Sequence, residues 1–210
     1  MKKLAVLAVV LFAIAALVAC APAKRVPYTM ADISPKLADL SKNPATDFTT
    51  IAKLSYPSTE IASVDEFLKK ANKIPATIMV AKEMIKKFKA DLAGVAAVPD
   101  FKLAVEDLKK NKDKMTGKAD QLKGMLETVK GVAELLLSLK DQGTALIGEG
   151  QGLVTKVPAD LAKDPKNITK AGSVGTALKD TVTALQAGVA EIPELAKEIA
   201  GIVEVVAGLF

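Results

Sequence analysis

Residues 122–153 read LKGMLETVKGVAELLLSLKDQGTALIGEGQGL, and apolar residues recur in them at every seventh position. Seven residues make almost two turns of an α-helix, so residues at this spacing lie along one side of a single helix. Residues 132–139 are apolar around most of the helix, which favours a central place in a bundle. The two apolar series are Leu122, Val129 and Leu136, and Met125, Val132, Leu139, Leu146 and Leu153.

A series of small residues recurs at the same spacing, roughly opposite the apolar series. Small side chains allow the backbone of another helix to approach closely. We therefore expect a helix–helix contact along this stripe, either within the chain or with a copy of the same helix. The small-residue stripe consists of Gly117, Gly124, Gly131, Ser138, Ala145 and Gly152.

Four glycines, at positions 143, 148, 150 and 152, fall within ten residues of this helix. Each glycine destabilises a helix by about 1 kcal/mol relative to alanine. We therefore expect either a hinge or a tight helix contact here. A phosphate-binding loop is not predicted, because no strand precedes the glycines and no Gly-Lys-Ser/Thr follows them.

Helical patterns continue towards the N-terminus, and no alternating strand of five or more residues bounded by turns is found. Ser63 and Glu66 have the spacing of a capping box ahead of an apolar stripe that runs from Val64 to Leu92. We expect Pro75 to kink this helix without ending it, and Pro99-Asp100 to begin the next. The polar residues 109–118 are either a continuing helix or a hairpin turn.

Two further helices are predicted at residues 171–192 and 194–209, separated or kinked at Pro193. Short helices are predicted to begin at Ser34-Pro35 and at Asn43-Pro44, where a capping residue precedes proline. Residues 158–165 resemble residues 37–44 and predict a helix-to-helix corner. The sequence therefore predicts an all-α fold, an up-and-down bundle of about four to six helices that occupies residues 34–210 as one domain.

The first twenty residues have the pattern of a secretory signal. Met1-Lys2-Lys3 is basic, and an uninterrupted apolar run extends from Leu4 to Ala19. A membrane-spanning helix needs about 20 apolar residues. We therefore predict a cleaved signal helix over residues 1–19, and the alternative is an uncleaved anchor that extends to Ala23.

Leu17-Val18-Ala19-Cys20 resembles the lipobox of bacterial lipoprotein precursors. The resemblance implies cleavage between Ala19 and Cys20, a diacylglycerol on the Cys20 thiol and usually a third acyl chain, such as palmitate, on its amine. Residues 20–33 would then form a lipidated tether. Ala21, rather than Asp, after the cysteine implies sorting to the outer membrane of a Gram-negative envelope, with the body facing the periplasm.

Composition excludes several classes of function. The chain has no His and a single Cys, so catalytic triads and the usual zinc or di-iron sites cannot be built, and we expect no metal and no cofactor. The net charge is +5, but lysine greatly outnumbers arginine and only 4% of residues are aromatic, which argues against nucleic-acid binding. Glu191, Glu194 and Glu198 have helical spacing, and we expect them to form a solvated face.

These observations predict a non-enzymatic, lipid-anchored envelope protein. It would act as an interaction or scaffold module at the periplasmic or outer surface and would contact the membrane through acylated Cys20. Its protein partner would be either an unknown protein or a second copy. One alternative is a membrane-active or lipid-binding bundle that opens at residues 143–152 and at its apolar C-terminus. Another is a hydrolase that uses only two carboxylates, for example a glycosidase.

Overall fold

The computed structural model describes Ile51 and residues 58–210. The regular structure of residues 58–210 is entirely helical, which confirms the predicted all-α class for this part of the chain. The signal segment, the tether and the helix starts near Ser34 and Asn43 lie outside the described residues. Four α-helices are found within residues 58–210: α1 (Ala62–Ala96), α2 (Phe101–Lys110), α3 (Ala119–Leu161) and α4 (Ile168–Ala207).

The three long helices lie side by side. Helices α1 and α4 are parallel, because residues that contact one another across them are separated by a constant 109 positions along the chain. Helix α3 runs antiparallel to both. Gly143 of α3 faces Ile74 of α1. Gly150, seven residues later in α3, faces Phe67, seven residues earlier in α1.

The core lies between these helices and contains the residues that the apolar spacing predicts. All ten positions of the predicted stripe of α1 are buried, from Val64 to Leu92. In α3 the series Leu122, Val129 and Leu136 is buried. Four of the five residues of the second series are only partly buried and pack at the edge of the core: Met125, Leu139, Leu146 and Leu153.

Two glycines let α3 lie close to its neighbours. A Cβ atom at Gly150 would come within 2.5 Å of both Phe67 Cζ and Val182 Cγ2. A Cβ atom at Gly143 would overlap Val189. Helix α3 continues unbroken through this segment, so Gly143 and Gly150 form a tight helix contact and the helix has no hinge there.

Neither internal proline ends its helix. Helix α1 passes through Pro75 as predicted, and α4 passes through Pro193, so the predicted separation of two C-terminal helices at Pro193 is wrong. Gly188 of α4 faces Pro75, and a Cβ atom at Gly188 would lie 3.0 Å from Ile78 Cδ1. This small residue allows α4 to pack against α1 at the proline.

Helix α1 begins without the predicted capping box. Ile61 is the N-cap, so Ser63 already lies in the first turn, and Glu66 binds Lys70. The carboxylate of Asp65 instead accepts hydrogen bonds from Ser58 Oγ at 2.5 Å and from the backbone N–H of Thr59 at 2.7 Å. Asp65 therefore closes the loop that precedes the helix.

Helix α2 begins as predicted, because the Asp100 side chain accepts a hydrogen bond from the Leu103 N–H. It packs against α1 through Ala104, Val105 and Leu108. The polar residues that follow form a 3₁₀ turn, Lys112–Met115, and then a turn at Gly117, whose φ of 77° favours glycine. Of the two alternatives for residues 109–118, the chain adopts the turn.

The predicted corner after α3 is also present. Helix α3 ends at Leu161, a 3₁₀ turn spans Pro165–Asn167, and α4 begins at Ile168. The Asp164 carboxylate accepts a hydrogen bond from the Lys166 N–H and so caps the turn. Pro158 lies inside α3, where its ring contacts Gly175 of α4.

The contact at Gly150 predicts that Gly150→Ala destabilises the protein. The added methyl group overlaps Phe67 and Val182, and overpacking of this kind costs about 1–3 kcal/mol, which exceeds the gain in helix propensity. Gly148→Ala is the matched control, because its Cβ atom would meet nothing within 4 Å and alanine should stabilise the helix by up to about 1 kcal/mol. Urea unfolding of both variants measures the difference, and equal effects would contradict the tight contact.

The hydrogen bonds to Asp65 predict a pH-dependent contribution to stability. Burial tends to raise the pKa of this carboxyl, but hydrogen bonds from Ser58 and Thr59 outweigh burial and hold the pKa below its ordinary value of 3.8. The unfolded state therefore binds the proton first as the pH falls. The stabilisation is present above pH 3.8 and is lost as the pH falls through the lowered pKa.

We expect Asp65→Asn to destabilise the protein at pH 7 by about 0.5–2 kcal/mol, as loss of a helix cap does. The difference from the parent should shrink as the pH falls below 3.8, where Asp65 of the unfolded parent becomes protonated. Urea unfolding at pH 7 and pH 3 measures this change. Glu194→Gln is the control for net charge, because Glu194 is exposed and forms no ion pair with any described residue. A similar loss there would assign the effect to net charge.

Candidate interaction surface

The small-residue stripe lies on the outside of the bundle. All six of its residues are exposed, and Gly117 lies in the turn before α3 and not on the helix. A Cβ atom at Gly124, Gly131 or Gly152 would meet nothing within 4 Å. The stripe therefore makes no helix contact within the described part of the chain, and a contact with a second copy stays a prediction.

The helix buried over most of its circumference is α1 and not α3. Ala76 and Val80 of α1 lie off the predicted stripe and are nevertheless fully buried. In α3, by contrast, Leu135 is 40% exposed and Leu137 is 53% exposed. The apolar run of residues 132–139 thus reaches the surface, and the expected central position of this helix is not observed.

One long side of α3 carries no charge. Residues spaced alternately by four and three positions share a helix face. Residues 124–145 at this spacing are all exposed and all uncharged, which gives a strip about 30 Å long at 1.5 Å per residue. We call this strip the neutral face, and it consists of Gly124, Thr128, Gly131, Leu135, Ser138, Gln142 and Ala145.

A row of acidic residues borders one edge of the neutral face. Asp120, Glu127, Glu134 and Asp141 recur every seven residues and are all exposed. Glu127 forms an ion pair with Lys130. The other three carboxylates form no ion pair with any described residue.

The opposite edge of the neutral face borders a groove between α1 and α3. The groove holds two clefts, of about 450 Å³ and about 280 Å³. Gln142 and Gln121, which lie on this edge of α3, line the larger and the smaller cleft respectively. The apolar walls of the groove consist mainly of Ile74, Val95, Met125, Leu139 and Leu146.

Four lysines line the groove, three of them on α1 and one, Lys118, directly before α3. Lys70 and Lys73 border the larger cleft, and Lys87 and Lys118 border the smaller one. Lys70 and Lys87 are held by acids one turn away, and the hydrogen bond to Glu66 raises the pKa of Lys70. Lys73 and Lys118 form no ion pair with any described residue. The groove is therefore basic, whereas the far edge of the neutral face is acidic.

All three glutamates expected to form a solvated face are exposed, and two of them also join α1 to α4. Glu191 pairs with Lys82 and Glu198 pairs with Lys89, each at 2.5 Å. Both pairs are partly exposed, so they add little stability and act mainly to fix which residues meet. Among the described residues no three acidic or cysteine side chains cluster as metal ligands would.

A polar pair is buried between the same two helices. The side-chain amide of Asn72 donates to Thr181 Oγ1 at 3.2 Å and to the Leu68 carbonyl at 3.0 Å, and both side chains are fully buried. Asn72 Oδ1 has no hydrogen-bond partner. Such a pair disfavours a shift of α1 along α4, because any shift would leave further buried polar atoms unsatisfied.

Sequence reasoning missed the lysine-lined groove and the Asn72–Thr181 pair. Asn72 could have been noticed in the sequence, because it is a polar residue directly after Ala71 of the predicted apolar stripe and lies in a segment that is otherwise buried. The groove has no comparable signal, because it depends on how far α1 stands from α3. Ala19 and Cys20, the predicted cleavage and lipid-attachment residues, lie outside the described residues.

No described helix contains an apolar stretch of membrane-spanning length. No protein-family model, curated protein or solved structure shows significant similarity to this chain.

The buried polar pair predicts strong coupling between Asn72 and Thr181. We expect Thr181→Val to destabilise the protein by about 1–3 kcal/mol, because it leaves a buried amide donor without its acceptor. Asn72→Leu should partly offset that loss, because it removes both the donor and the unpartnered Oδ1 atom. Urea unfolding of both single variants and the double variant gives the coupling energy, expected at about 0.5–3 kcal/mol, and additive effects would contradict it.

Proposed function

We propose that this protein is a lipid-anchored, non-enzymatic interaction module of the bacterial envelope. The observation that carries the proposal is the sequence Leu17-Val18-Ala19-Cys20, which follows a basic start and an apolar run. Cys20 would carry the acyl chains after cleavage behind Ala19. The body would face the periplasm from the outer membrane.

Anchoring by acyl chains accounts for stable attachment without a spanning helix. Burial of an acyl chain contributes about 0.8 kcal/mol per CH₂ group, so two or three chains hold a protein on a membrane while one chain does so only marginally. Cys20 is the only cysteine of the chain, so its acylation leaves no thiol for a disulfide. The bundle is then stabilised by its core.

The shape of the bundle supports a role in protein contact. Helices α1, α3 and α4 have 35, 43 and 40 residues, which correspond to rods of about 50–65 Å at 1.5 Å per residue. A rod of this length presents long side surfaces. The neutral face and the groove beside it are the surfaces on which a helix of another molecule would fit.

A bundle that acts on membranes by opening at residues 143–152 is the competing hypothesis. That segment contains Gly143 and Gly150, where α3 packs closely on both neighbouring long helices. Opening the bundle there would expose the core around Phe67 and Leu136, which are fully buried. Such opening would be costly, so we do not propose it as the function.

The anchor is tested with the full chain expressed in a Gram-negative bacterium. Cys20→Ser should abolish the mass increase of the lipidated N-terminal peptide, which mass spectrometry measures. Val18→Ala is the matched control and should keep the mass increase, because it keeps the small residue and the cysteine on which the motif depends. The same mass increase in Cys20→Ser would contradict acylation at Cys20.

A second measurement separates the anchored module from a membrane-active bundle. Residues 21–210, which lack both the apolar run and Cys20, are mixed with neutral and anionic liposomes at low and high salt. We expect no flotation with the liposomes and no dye leakage at high salt, because acyl chains are the proposed membrane contact. Flotation or leakage that persists at high salt would overturn the proposal in favour of the membrane-active hypothesis.

A further inference from the structure

We propose that a second copy of this chain docks on the neutral face and the adjoining α1–α3 groove, with the two copies parallel and related by a two-fold axis. The proposal rests on the groove, its charges and their arrangement around α3. It does not depend on whether Cys20 carries lipid.

The groove supplies the apolar contact. Leu139 and Leu146 of α3 are only partly covered and stand beside the buried Ile74 of α1. Leu135, on the neutral face, is 40% exposed at the middle of the same surface. A helix laid along this surface would remove these side chains from water, and each square ångström of apolar area so removed contributes about 25 cal/mol.

The glycines of the neutral face allow that helix to come close. Gly143 and Gly150 have a steric reason within the chain, because side chains there would overlap other helices. Gly124 and Gly131 have none, since a Cβ atom there would meet nothing within 4 Å, yet each destabilises α3 relative to alanine. Close approach of a second backbone from outside the bundle accounts for this cost.

The charges determine the relative direction of the two copies. The neutral face has acids along one edge and the lysine-lined groove along the other. In an antiparallel two-fold pair of helices, each edge would meet the same edge of its partner, so acids would face acids. In a parallel pair, with the axis along the helices, the acidic edge of each copy meets the basic edge of the other.

The unpaired charges also match in height along the bundle. Ile74 of α1 lies opposite Gly143 of α3. Lys73 is next to Ile74 and Asp141 is two residues before Gly143. Lys73 and Asp141 therefore lie within about one helical turn of each other along the bundle axis. Lys118 and Asp120 are two residues apart at the start of α3. A parallel pair would therefore place Asp141 near Lys73 of the other copy, and Asp120 near Lys118.

These features identify a second copy as the occupant. Both halves of the charge pattern are supplied by one chain, at matching heights and on opposite edges of one uncharged strip. An interface with two-fold symmetry requires this self-complementarity, because the same patch serves both partners.

The parallel arrangement is tested by disulfide crosslinking. Gly124→Cys and Ser138→Cys are each made in the full chain carrying Cys20→Ser, which then has no other thiol. Both positions belong to the small-residue stripe and to the neutral face. In a parallel pair whose two-fold axis runs along the helices, each residue of this stripe faces the same residue of the other copy. Both variants should therefore form covalent dimers on mild oxidation. Thr176→Cys, exposed on α4, is the matched control and should stay monomeric.

Each other outcome overturns the proposal. A dimer from only one of the two positions would indicate antiparallel or crossed helices. If no dimer forms and the thiols react readily with maleimide, the neutral face is free. If no dimer forms and the thiols are protected from maleimide, a segment of residues 1–57 covers the neutral face instead. Because the variants lack Cys20, failure here leaves the proposed lipid anchor untouched.

The charge pairing is tested by reversal and rescue. Each substitution alters two symmetric pairs, and exposed pairs contribute up to about 1 kcal/mol, so Asp141→Lys and Lys73→Asp should each weaken the dimer about tenfold in sedimentation equilibrium. The double variant should recover to within about threefold of the parent. Lys179→Asp on α4 is the control for net charge. Equal losses in the control, or no rescue, would overturn the pairing.

Discussion

The close approach of α3 to both other long helices at Gly143 and Gly150 is the contact on which the bundle depends. At Gly150 the missing side chain is replaced by Phe67 of α1 and Val182 of α4, so three helices meet at one level. These glycines are seven residues apart and continue the buried series that includes Leu136. A larger residue at either position would push α3 outwards and open the core along its length, because close-packed interiors cannot absorb the extra volume locally.

The alignment of α1 and α4 follows from contacts that tolerate no sliding. Gly188 admits Pro75, and the Asn72 amide meets Thr181 inside the core. Ion pairs such as Lys89–Glu198 continue the same alignment at the surface. Lys89 also lies 5.8 Å from the centre of the Phe101 ring, so one side chain joins α1, α2 and α4. Buried shape and polarity set the register, and the surface charges agree with it.

The same packing explains why the interaction surface lies on α3. Because α3 buries mainly one side, the partly covered Leu139 and Leu146 stay beside an open groove, and the neutral face points outwards. We propose that Cys20 holds the chain at a membrane. A chain held in this way can act through such a surface without a catalytic centre. Chains anchored to one membrane leave it in the same direction, so parallel association fits the proposed attachment.

The spacing of apolar residues determined the all-α class, the core residues of α1 and the start of α2 at Asp100, because helix period and capping are local properties of a sequence. The glycine cluster left a hinge and a contact open, and spacing could not distinguish them because the outcome depends on what stands opposite Gly150. The separation expected at Pro193 failed for the same reason, as did a contact of Gly124 and Gly131 within the chain, which was one of two alternatives for the stripe. Tertiary structure alone decided the groove, its lysines and the exposure of the neutral face, since these depend on distances between helices that no single segment encodes.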